Sequence, residues 1–130
     1  MNISGRRFSQ NDVVISEPFP RGGDGLFLRV QLIDAGGTTG NMTVEVFTRN
    51  TEDNWPAGPI GTGGSGASLG TLTVETTVGT IYELHVPPSS TAADGIKEQV
   101  RLKFTGPSSA GWSIIRVFPP LFYDAAIGTV

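Results

Sequence analysis

Cysteine is absent from this 130-residue chain, so neither disulfides nor thiolate metal sites can hold it together. Histidine is nearly absent. His85 is the single one, and a metal centre normally needs three or four converging ligands. Charge is sparse as well: charged residues make up 16% of the chain and the net charge is −3, with a pI near 5.0. The nine Lys and Arg are scattered, whereas a nucleic-acid surface needs them clustered. No apolar run approaches membrane-spanning length. The N-terminal MNISGRRFSQNDVVIS lacks the apolar stretch of a signal peptide. These absences predict a soluble protein made in the cytoplasm, with no cofactor, no metal, no nucleic acid and no membrane to bind. On that expectation, the glycosylation sequons at Asn2 and Asn41 are chance matches.

Helical periodicity is missing too. Residues 90–95 have room for one helical turn, and nothing longer repeats every three to four residues. What is present is 18 glycines and nine prolines set between strongly apolar runs, the mark of loop-rich order rather than disorder. The runs alternate with a period of two. Leu26, Leu28, Val30 and Leu32 form one face of a strand over 26–33. Residues 42–49, 69–74, 80–86 and 100–104 read the same way, and 13–15 is a short β-branched strand. The stretch 34–41 reads as a loop, and 50–70 is the longest irregular segment. Strands of this length at this spacing predict an all-β antiparallel sandwich of about seven or eight strands, jelly-roll or immunoglobulin-like.

The closing stretch GWSIIRVFPPLFY, residues 111–123, organises the reading. Trp112, Ile114, Arg116 and Phe118 share one face of a strand; Ser113, Ile115 and Val117 share the other. Trp112 is expected in the core because its strand is otherwise so apolar. Pro119-Pro120 cannot donate ladder hydrogen bonds, so the strand ends there. Leu121, Phe122 and Tyr123 then either close the domain's own core or pack on a neighbour. The chain thus divides into an N-terminal arm (1–12), a β-sandwich (13–118) and a C-terminal strap (119–130).

Catalytic constellations are hard to build from these residues. His85 lies two residues from Glu83, on the same strand face, and reads as a surface cross-strand residue. Residues 61–66 match G-x-G-x-x-G, but prolines precede the match and a strand follows, where the dinucleotide fingerprint needs a strand before and a helix after. Ser65 nearly fits a nucleophile elbow, yet residue 67 is Ala and no helix follows. The loop carboxylates Asp12, Glu17, Asp24, Glu52 and Asp53 lack the spacing of a calcium loop and read as solvated. The expectation is a protein that is not an enzyme.

Three stretches, VEVFTRNTEDNW (44–55), VRLKFTG (100–106) and GWSIIRVFPPLFYD (111–124), together resemble small virion proteins of tailed bacteriophages, of the capsid decoration or cement type. The similarity runs from about residue 26 to 124 and is carried by the closing aromatic–Arg–Pro signature. The resemblance implies a β-sandwich on the exterior of an assembled capsid, stabilising it by bridging copies of the major capsid protein, itself a trimer or a dimer. Interfaces favour aromatics and arginine. The residues expected to carry binding are therefore Arg6, Arg7 and Phe8 in the arm, Trp55 in the long loop, and Leu121, Phe122 and Tyr123 in the strap. The acidic pI suits a partner with basic patches. The alternative reading is a carbohydrate- or receptor-binding module, for example on a phage tail, with Trp55 and Tyr82 as its aromatic platform.

Overall fold

A computed structural model describes residues 4–37, 40–52, 55, 67–89 and 95–124. Within them the chain is all-β and antiparallel. Its strands are β1 (Arg7–Ser9), β2 (Val13–Ile15), β3 (Phe19–Pro20), β4 (Gly25–Gly37), β5 (Met42–Arg49), β6 (Ala67–Val74), β7 (Ile81–Val86), β8 (Gln99–Thr105), β9 (Gly111–Val117) and β10 (Leu121–Tyr123).

Two sheets pack face to face. The first has the order β1-β9-β4, with β7 on the far side of β4; the second has the order β2-β8-β5-β6. The pairs β1·β9, β2·β8, β4·β7 and β5·β6 are all antiparallel. The first half of the chain therefore pairs in reverse with the second half, as one long ribbon wrapped around a core. That connection is the jelly roll, not the immunoglobulin arrangement. β3 and β10 are short additions, paired to β8 and β4.

The core follows from the period-two pattern. Leu26, Leu28, Val30 and Leu32 of β4 are fully buried, as are Met42, Val44 and Val46 of β5 and Val100, Leu102 and Phe104 of β8. Burying such side chains contributes about 1.5–3 kcal/mol each relative to exposure.

Three sequence expectations need correction. β4 does not stop near residue 33 but runs to Gly37 through a bulge between Leu32 and Asp34, because β9 pairs along residues 34–37. A bulge adds one unpaired residue and bends the strand, which leaves Ile33 44% exposed. Second, the arm is part of the fold. Gly5 N donates to Ile115 O (2.8 Å), Val117 N donates to Ser4 Oγ (2.9 Å), and β1 pairs with β9. Third, Trp112 lies on the outer face of its sheet rather than in the core. The glycine-rich motif at 61–66 and the possible helical turn beginning at residue 90 fall outside the described residues, apart from Gly95.

Candidate interaction surface

Two strands are interrupted and then resume against the same partner. β9 pairs with β4 along residues 30–37, breaks at Pro119-Pro120, and resumes as β10 against residues 25–27 of β4. The last bond before the break is from Phe118 N to Arg29 O, 3.1 Å. On the other sheet, β2 pairs with β8, breaks at Ser16–Pro18, and resumes as β3 against the same β8. Ser16 bridges that break: its N–H donates to Leu102 O and its Oγ accepts from Leu102 N, both at 2.9 Å. The two breaks face each other across a groove of about 790 Å³, lined by Pro18, Phe19, Phe118, Pro119, Pro120 and Phe122 among others. Phe19 and Phe122 meet edge to face at 6.2 Å in its wall, so the groove is apolar with Glu17 on its lining.

The two outer sheet faces differ in character. On the β2-β8-β5-β6 sheet, cross-strand neighbours are Thr43 with Thr105 and Thr73, and Glu45 with Lys103 and Thr71. This end of the sheet has the polar pattern of a solvated face, while toward Arg49 and Arg101 it is covered by Trp55. On the other sheet, rows of residues run across the strands. Leu121, Phe27 and His85 form one row. Phe118, Arg29 and Glu83 form the next, followed by Arg116, Gln31 and Ile81. Further along, Ile114 pairs with Asp34 and with Arg7, and Trp112 pairs with Gly36. Large apolar side chains stay exposed here: Ile81 is 50% and Leu121 53% accessible.

Arginine–aromatic stacks hold this face together. The Arg7 guanidinium carbon lies 4.6 Å from the Trp112 ring centre. The indole itself lies over Gly36, where a Cβ would sit 2.6 Å from it; only glycine leaves that room. Arg116 and Arg29 both lie over Phe118, at 4.9 and 5.7 Å. Each such contact is worth about 0.5–1 kcal/mol at an exposed position. Phe27 stacks on His85 at 4.3 Å and 8°. Tyr123 completes that cluster, 5.4 Å from Phe27, with its hydroxyl hydrogen-bonded to His85 Nε2.

The residues expected to bind a partner are distributed as follows. Arg7, Leu121 and Tyr123 lie on this aromatic face. Phe8 does not lie on a surface at all: it is fully buried and stacks on Phe104 at 6.0 Å. The alternation within β1 turns it inward once Arg7 is outward, and Arg6 stays exposed at 5.5 Å from its ring. Phe122 turns inward against the core. Trp55 is 4% exposed, held on the opposite sheet between Arg49 at 4.5 Å and Arg101 at 4.8 Å. There Arg49 Nε donates to Gln99 Oε1, 3.0 Å. Burial, and then the neighbouring Arg49 charge, lower the Arg101 pKa from its usual value. Tyr82 faces inward, packed against the core with its hydroxyl buried and without a hydrogen-bond partner. Trp55 and Tyr82 therefore do not form an exposed aromatic platform.

Sequence reasoning missed Phe27, Arg29, Arg116 and Phe118 as a group. Their shared face was readable from alternation within each strand, but the pairing of β4 with β9 was not. Comparison with protein-family models, with curated proteins and with solved structures finds no match to this chain.

Proposed function

We propose that this protein is a structural, non-catalytic binding module that docks on the exterior of an assembled phage capsid and reinforces it by bridging major capsid protein subunits. One observation carries the reading: on a single sheet face Phe27, Trp112, Phe118 and Tyr123 stay half-buried among three arginines, whereas the arginine–aromatic group of the opposite sheet, Arg49–Trp55–Arg101, is closed on a buried tryptophan. Aromatics and arginine are the residues that interfaces enrich. The proposed setting is a virion surface, and the resemblance of residues 111–124 to decoration proteins supports it.

Size argues for many copies acting together. Four strands at about 4.8 Å spacing, each about seven residues long, give a face of roughly 19 by 23 Å. That is roughly 440 Å², about half of what each partner contributes to a stable complex. A homo-oligomer, with a trimer favoured, would multiply the contacts, and avidity would then supply what one face lacks. The test is to mix purified protein with shells lacking it. Saturable, stoichiometric binding and a higher shell disruption temperature are expected; absence of binding overturns the reading. Light scattering of the protein alone reads the oligomeric state.

A further inference from the structure

The acidity of the chain as a whole suggests a basic partner, but the aromatic face has the opposite local balance. Arg7, Arg29 and Arg116 lie on it against Asp34 and Glu83. Arg29 and Arg116 are the unusual pair. Both guanidinium groups lie over one ring, that of Phe118, and the register makes Arg29 and Arg116 diagonal cross-strand neighbours, so two like charges share one patch of an exposed surface. Among the described residues neither meets a carboxylate. Glu83 is opposite Arg29 in register without forming an ion pair with it, and the Asp34 carboxylate accepts from Ala35 N at 2.9 Å instead. The second arginine pair of the molecule is different in kind. Arg49 and Arg101 close on Trp55, which is itself buried, and Arg49 is further tied to Gln99. That pair anchors a residue of its own chain; the Arg29–Phe118–Arg116 pair has no such load.

Stacking on a ring fixes the plane of a guanidinium and leaves its N–H edge free to bond in the plane. Diagonal neighbours on one patch offer such edges to a planar, two-oxygen anion, and the like-charge repulsion between them falls when one binds. The rest of the chain points to which anion. A net charge of −3 and scattered basic residues give no track for a phosphate backbone. We propose that Arg29 and Arg116, aligned by Phe118, receive a side-chain carboxylate from an acidic protein surface. The inference rests on the docking reading above and names the partner chemistry for that face: aspartate or glutamate set among apolar groups.

The probe is glutarate, titrated at constant ionic strength into the isotopically labelled protein, with the arginine Nε–Hε and Phe118 ring resonances followed by NMR. Because no shell is present, the result stands apart from whether the protein binds one. Saturable shifts confined to Arg29, Arg116 and Phe118 are expected, with the exposed Arg6 as internal control. Arg29→Gln and Arg116→Gln should each weaken binding by about tenfold, the loss of one charge-assisted bond. Lysine at either position should restore only part of it. The same spectra report whether each variant remains folded. Absence of saturation in the wild type overturns the proposal, as do shifts at Arg6 equal to those at Arg29. Inorganic phosphate binding more tightly than glutarate would overturn the carboxylate assignment and redirect it to a phosphate-bearing partner.

Discussion

The hydroxyl of Tyr123 and Nε2 of His85 are hydrogen-bond partners across the width of β4: Tyr123 belongs to β10 on one side of that strand and His85 to β7 on the other. The tyrosine ring reaches over Gly25, where any Cβ would collide with it. Tyr123→Phe removes the bond and should cost about 0.5–1 kcal/mol, the lower part of the range for a hydrogen bond because the site is exposed. Gly25→Ala displaces the ring and should cost more, about 1–3 kcal/mol. Urea denaturation compares the two, and a Gly25→Ala variant no less stable than Tyr123→Phe would contradict this arrangement.

Phe8 separates a docked strand from a free arm. Its complete burial against Phe104 predicts that Phe8→Ala loses about 3–5 kcal/mol. Arg6→Gln, two residues away and exposed, should stay within about 0.5 kcal/mol of wild type. Thermal or chemical denaturation reads both. A near-neutral Phe8→Ala would return residues 1–12 to the status of an arm.

The two tryptophans should be distinguishable by fluorescence. With Trp112→Phe, the remaining Trp55 lies between two arginines and is 4% exposed, so acrylamide should quench it weakly. With Trp55→Phe, the remaining Trp112 is only half-buried on an outer face and should be quenched more strongly. Trp55→Ala should also destabilise the fold by about 3 kcal/mol. Equal quenching of the two single-tryptophan proteins would place Trp55 on the surface.

A chain ending at Phe118 loses β10 and with it Phe122, which packs on the core and on Phe19. The loss should be about 3 kcal/mol or more, read as a fall in the denaturation midpoint. Unchanged stability would mean that residues 119–130 serve only contacts outside the fold.

Much of the architecture was legible because burial on one face writes itself into a strand as alternation. Leu26 to Leu32 and Val100 to Phe104 are clear cases, and both became core as expected. What was not legible depended on pairing between distant segments. Arg6-Arg7-Phe8 reads as a polar terminus until β9 is known to lie beside it. Leu121-Phe122-Tyr123 has no visible partner until β4 is seen to extend past the end of β9. Trp112 was misplaced for a related reason: an apolar strand suggests two buried faces, but here the outer face sets Trp112 against Arg7 and opposite Gly36, half-buried. Trp55 was misplaced because a loop residue's burial depends on what it folds onto, and its arginine partners are at the end of β5 and in the middle of β8. The Arg29–Phe118–Arg116 group could not be seen at all without knowing which strands are adjacent.

The wrapped ribbon also dictates an order in time. β1 has no partner until β9 has been synthesised, β2 waits for β8, and the start of β4 waits for β10 on one side. The sheet that contains β1 therefore cannot close until residues 111–117 have been synthesised. Such non-local pairing folds slowly, and the unpaired β4 and β5 are open to pairing between nascent chains in the interval. Soluble yield should thus depend on how fast chains are produced as well as on how stable the finished fold is, and slower synthesis should favour the native protein.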